Sequence, residues 1–186
     1  MLNFLPSNVR RLAAETRGAE IAEAAAVLPL MFMMLLGIFW FGQAFSIYGA
    51  ITRAAQEGAR AAAAPTCTTC AAGASAAANA VAAVNADLVV SKLDPLKAQQ
   101  PTTIPSLLSC STGAAVTCDS AQTNICVQGS QPGQGVQLST TASGGTEVCG
   151  VSVSFQYPFQ FWLPFTSLNK QRVLLIASAR VRMETQ

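Results

Sequence analysis

The chain has 186 residues, a formal net charge of +2 and no histidine. Apolar residues make up 51% of it and charged residues only 11%, which fits a membrane anchor carrying a weakly charged domain and does not suggest nucleic acid as a partner. The missing histidine excludes Ser-His-Asp and Cys-His catalysis and all imidazole metal sites, and the nine acidic residues form no obvious pair.

The first element is a basic leader, residues 1–18, carrying Arg10, Arg11 and Arg17 and ending at Gly18. Five residues later Glu23 stands at the lip of an apolar run, and no charged side chain follows from Ala24 to Thr52. As a helix, Ala24–Thr52 reaches roughly 43 Å, enough to cross a hydrocarbon core of about 30 Å. Trp40 and Tyr48 are placed for the far interface. Arginines before the span put the N-terminus in the cytoplasm, and all six cysteines then lie outside.

An ordinary secretory signal peptide would have a shorter apolar core and a small-residue cleavage site just past it; the nearest alanine cluster here, Ala61–Ala64, lies well beyond. A plain signal anchor explains the arginines and the apolar run but not the spacing of Gly18 and Glu23. A carboxylate at the mouth of a membrane span is costly and marks function. Glycine followed at the fifth position by glutamate and an apolar helix resembles the cleavage and assembly signal of type IV pilins and pseudopilins. Pro29, inside the apolar run, removes one helix hydrogen bond and reads either as a tolerated membrane proline or as a hinge for packing among other helices.

Helical character continues past the span. Arg53, Gln56, Glu57 and Arg60 make one polar stripe, with Arg53–Glu57 and Glu57–Arg60 spaced to pair. Ile51, Ala54, Ala55, Ala59 and Ala62 cover other faces. One long helix over residues 19–64 is expected, with Pro65 ending it.

Arg17-Gly18, Glu23-Ala24, Val27-Leu28-Pro29, Gly37, Phe41-Gly42 and Ala54-Ala55-Gln56-Glu57-Gly58-Ala59-Arg60 together resemble the TadE family of pseudopilin-like proteins. The resemblance covers roughly residues 17–64, with Gln56 where such proteins often carry arginine. TadE- and TadG-type proteins serve the tight adherence (Flp) pilus of bacteria. The resemblance therefore implies a minor pseudopilin or assembly factor. Its processing site would be Gly18 and Ala19, its assembly residues Glu23 and Pro29, and its partners membrane lipid, a prepilin peptidase, other pilins or pseudopilins and tight adherence secretion proteins. It implies a single-pass inner-membrane protein whose C-terminal domain is periplasmic, or on the pilus or cell surface after assembly.

Residues 65–186 read as a small extracytoplasmic domain. Cys67, Cys70, Cys110, Cys118, Cys126 and Cys149 read as a disulfide framework, with fifteen possible pairings. Cys67-Thr-Thr-Cys70 lacks the second pair or the histidine that a zinc site needs, and no thioredoxin-like setting surrounds it. An alanine-rich stretch, 71–93, carries Val81, Val84 and Leu88 at helical spacing and closes at Asp94-Pro95. Residues 101–113 and 131–145 read as loops around a short strand over 123–128.

From Val151 to Phe161 apolar and polar residues alternate as in a strand, with Pro158 marking an edge or an end. A second strand, 173–183, turns Ala177, Ala179, Val181 and Met183 one way, and 163–171 connects the two. Paired antiparallel, they would lay their apolar faces on the helix. The aromatic stripe reads as core. The expected fold is α+β: a long transmembrane helix extending outside the membrane, then a second helix and a short antiparallel sheet braced by disulfides. No cofactor, metal or enzymatic activity is expected; Lys92, Lys97 and Lys170 belong to no recognisable Ser-Lys motif. Two other readings are an uncleaved signal-anchored periplasmic scaffold and a binding module acting through residues 95–145.

Overall fold

The computed structural model describes residues 16–64, 75–119, 124–131, 135–139, 148–160 and 172–183, with backbone alone at 16–20 and at Ser139. Cys67, Cys70, Pro65, the leader before Thr16 and the 163–171 connection lie outside the described residues. The elements run α1 (Thr16–Ala63), α2 (Ala76–Val90), a 3₁₀ turn (Pro95–Lys97), β1 (Leu107–Leu108), β2 (Ala115–Val116), β3 (Cys126–Gln128), β4 (Val136–Ser139), β5 (Val148–Gln160) and β6 (Arg172–Arg182). Residues 1–44 and 45–186 form two compact units.

The first unit contains the N-terminal part of α1. Its large apolar side chains are exposed, Leu30, Met33 and Phe41 each by about two thirds or more. Helical backbone persists through Pro29. Proline offers no N–H to the carbonyl one turn earlier, so this stretch of helix runs one hydrogen bond short.

The second unit has a core made where α1, α2 and the sheet meet. On α1, Ile51, Ala54, Ala55, Ala59 and Ala62 are buried, while Arg53, Gln56 and Arg60 are exposed. The polar stripe therefore divides wet from dry surface as its spacing predicts. Arg60 donates to Glu57 at 2.8 Å, but Arg53 reaches Asp87 of α2 at 4.0 Å in place of the expected Glu57. Packing α2 alongside offers Arg53 a second carboxylate, which the local i,i+4 rule cannot foresee.

Ser75 starts α2 by accepting a hydrogen bond from the Ala78 N–H, leaving one fewer orphan donor in the first turn. Ala77, Ala80, Val84 and Leu88 form its buried face. Small residues on both helices permit close approach. Gly58 is the closest point: a Cβ there would overlap Val84 Cγ2 and lie 3.2 Å from the Ala80 carbonyl oxygen.

β5 is the centre of the sheet. β6 pairs with it antiparallel from Gly150↔Arg182 to Gln160↔Arg172. β3 pairs with Ser152–Ser154 and β4 with Val148–Gly150, so these two share the other edge. Gly129, with φ +80°, turns the chain away from the end of β3; a Cβ there would lie 2.9 Å from the Val136 nitrogen. Gln156 exchanges both backbone hydrogen bonds with Gln99, so the backbone groups of even-numbered β5 residues point away from β6. Pro158 follows this direction, and among the described residues no strand meets that edge beside it. Its missing N–H leaves no gap in the sheet.

The helix-facing side of β5 supplies Val151, Val153, Phe155 and Tyr157 to the core. Burial of Phe155 alone contributes about 1.5–3 kcal/mol relative to leaving it in water. The opposite side is also buried, although its residues are Ser152, Ser154 and Gln156. Residues 99–119 cover it. Gln128 Nε2 donates to the carbonyls of Pro105 and Val116, and Thr102 N–H donates to Gln156 Oε1. Two disulfides, Cys110–Cys149 and Cys118–Cys126, tie this covering segment to the sheet.

Candidate functional site

Gly18 and Ala19 lie in the first turn of α1, which begins at Thr16. Glu23 follows one turn after Ala19. Its side chain is exposed, and no ion-pair partner for it lies among the described residues. Beyond it the helix offers only uncharged side chains as far as Thr52. The span from Ile21 to Ala63 is long and apolar enough to cross a membrane, with mean hydropathy 2.2 in its most apolar window, none of which is buried within the protein. At 48 residues, α1 is roughly 72 Å long, more than twice a hydrocarbon core of about 30 Å.

The glycines of this helix differ in their surroundings. Gly58 is required by the approach of α2. Around Gly37 and Gly42 no other described residue, beyond the chain neighbours and the helix's own backbone, lies within 4 Å of an added Cβ. Phe39 and Trp40 meet edge to face at 5.6 Å.

Glu23 and Pro29 thus share one exposed helix, whereas the cysteines lie elsewhere. Cys110 meets Cys149 and Cys118 meets Cys126; sequence spacing could not select these pairs. A second candidate feature lies beside them. Ser109, Thr112, Thr117, Asp119, Ser130 and Gln131 line a cleft of about 350 Å³. Asp119 accepts a hydrogen bond from Ser130 Oγ at 3.3 Å. Hydroxyls, an amide and one carboxylate suit a neutral polar ligand better than an anion.

With the helix and its lone carboxylate described, the comparison with protein families is decisive for this segment. Residues 18–60 match the family described as TadE-like protein. The matched stretch contains Gly18, Glu23, Pro29 and Gly58, so it spans both the exposed apolar helix and its packing against α2. No curated protein and no solved structure matches the chain. The match lies within α1, whose apolar run fits a membrane-anchored protein.

Proposed function

We propose that this chain is a minor pseudopilin or assembly factor of a tight adherence (Flp, type IVb) pilus. The observation that carries this reading is Glu23, exposed and unpaired among the described residues at the entrance of an exposed apolar helix, inside the TadE-like match. Residues 1–18 are a cytoplasmic leader, 19–64 the membrane helix and its extension, and 65–186 a periplasmic domain in which disulfides persist. A prepilin peptidase hydrolyses the Gly18–Ala19 peptide bond. Water adds across it, leaving a carboxylate on Gly18 and a free amine on Ala19. The peptidase supplies the catalytic groups, so this chain is substrate and not enzyme.

The new amine of one subunit then pairs with Glu23 of another. Unit charges about 4 Å apart attract by about 4 kcal/mol at an effective dielectric of about 20. Leaving either charge alone in an apolar bundle is costlier than pairing it, so the pair sets axial register between subunits. Gly37 and Gly42 leave room for a neighbouring helix to approach, as small residues do in membrane helix pairs. Pro29 loosens the helix between these points. Glu23→Ala is expected to insert into the membrane normally and to abolish or sharply reduce surface pili, measured by membrane fractionation and pilus shearing. Normal piliation would contradict the pairing role.

One observation favours an uncleaved anchor. Gly18 and Ala19 are helical, and a peptidase needs extended backbone at the scissile bond. Helix ends fray readily, so unwinding the first turn is a small barrier to processing. In the anchored reading, the cleft beside Asp119 is the binding surface of a periplasmic scaffold.

A further inference from the structure

β6 leaves one long edge of the sheet open. Its 11 residues, about 36 Å of extended chain, run beside β5 in continuous register with no bulge. Gln156 of β5 turns its backbone N–H and C=O away from β6, to Gln99. The odd-numbered residues of β5 therefore bond β6, and the register gives them Val173, Leu175, Ala177, Ala179 and Val181 as partners. The backbone groups of Leu174, Ile176, Ser178 and Arg180 consequently point off the sheet. Among the described residues, none of these four meets a backbone partner on that side.

The alternation of the strand places Arg172, Leu174, Ile176, Ser178, Arg180 and Arg182 on one face, and all six are exposed. On β5, their neighbours Ser152, Ser154 and Gln156 are buried on that same face. The covering segment thus stops short of β6. The strand carries three arginines and no acidic residue, and no ion pair to these arginines occurs among the described residues. Sheet edges escape unwanted pairing through charge, proline, bulges or shortness. From Val173 to Ala179 this edge has no charge, no proline and no shift of register. The arginines do guard its ends against a second copy. In antiparallel self-pairings centred on Ile176 or Ala177, Arg172 would face Arg180 or Arg182, and like charges directly opposite are destabilising.

We propose that β6 is a docking edge for an extended acidic segment of another protein, which adds a strand to the sheet. Its backbone bonds the outward N–H and C=O groups of Leu174, Ile176, Ser178 and Arg180. Its middle is apolar, against Leu174 and Ile176, and its ends carry carboxylates for Arg172 at one end and Arg180 and Arg182 at the other. Main-chain hydrogen bonds supply affinity in such strand addition, and alternate side chains supply specificity. Charge complementarity selects this occupant over a second copy of the chain. The inference concerns the unit 45–186 alone and holds whether or not Gly18 is cleaved.

The test uses the full chain in detergent and two fluorescent synthetic peptides of alternating valine and threonine, one ending in aspartate on both sides and the other in lysine. Binding is read by fluorescence anisotropy. The proposal expects the aspartate peptide to bind about tenfold or more tightly than the lysine peptide, and the order to reverse when Arg180→Glu and Arg182→Glu are combined. Methylating one alternate set of the peptide's backbone nitrogens should abolish binding, and methylating the other set should leave it intact, because only one edge of the peptide meets β6. Ser178→Pro removes an outward N–H that β5 does not use, so it should abolish binding with the unfolding midpoint unchanged. Absence of binding, equal affinity for the two peptides, or indifference to both methylations would overturn the docking edge. Self-association of the full chain that Ser178→Pro abolishes would assign the edge to a second copy and overturn the acidic partner.

Discussion

Gly58 lies directly against Val84, and the space between them is too small for one added methyl group. This relation joins the TadE-like segment to the fold that follows it, because Val84 belongs to α2, outside the matched residues 18–60.

Gly58→Ala is therefore expected to destabilise the folded unit, although alanine is the better helix former. The propensity gain is about 1 kcal/mol. Overpacking costs about 1–3 kcal/mol, and the neighbouring Ala80 carbonyl is backbone that cannot rotate away. Adding Val84→Ala should recover part of the loss, giving a coupling of about 1 kcal/mol or more in a double-mutant cycle by denaturant unfolding in detergent. Strict additivity would contradict the contact.

The two disulfides should differ in worth. Cys110–Cys149 closes a separation of 39 residues and Cys118–Cys126 one of 8. Loop-closure entropy then assigns about 4 kcal/mol to the first and about 2.5 kcal/mol to the second. Replacing Cys110 and Cys149 by serine should lower the unfolding midpoint more than replacing Cys118 and Cys126. The reverse order would show that the entropic account fails here.

Lys92 holds φ +58° just past the end of α2. Its N–H donates to the Val89 carbonyl and that of Leu93 to the Leu88 carbonyl, the 5→2 and 6→1 bonds of a Schellman cap. Glycine is the usual residue there, since a left-handed side chain costs about 1–2 kcal/mol. Lys92→Gly should stabilise the unit by about 0.5–1 kcal/mol, read as a raised unfolding midpoint. A loss of stability would mean that Lys92 makes a compensating interaction.

How much of this was legible in the sequence follows from how local each signal is. α1, α2, β5 and β6 carry their periodicity within themselves, and the bounds it predicts fall within a few residues of those observed. The Gly/Ser/Thr tract around Val136–Ser139 predicts a loop by composition; pairing with β5 makes it the strand β4. β1, inside the expected 101–113 loop, is two residues long and exists through β2. Ser152, Ser154 and Gln156 look like a solvated face by composition. They are buried because residues 99–119 fold over them, fixed by disulfides and by Gln128, and no local pattern encodes that cover. Glu23 was legible as a charge out of place, and the structure adds its exposure on a continuous helix.

The central claim, that this chain is a processed pilin-like subunit, is tested most directly by the N-terminal sequence and intact mass of the protein purified from its host's membranes. The account predicts a chain that begins at Ala19, with the amine that Glu23 requires. A chain that still begins at Met1 would contradict it and leave a stationary membrane anchor.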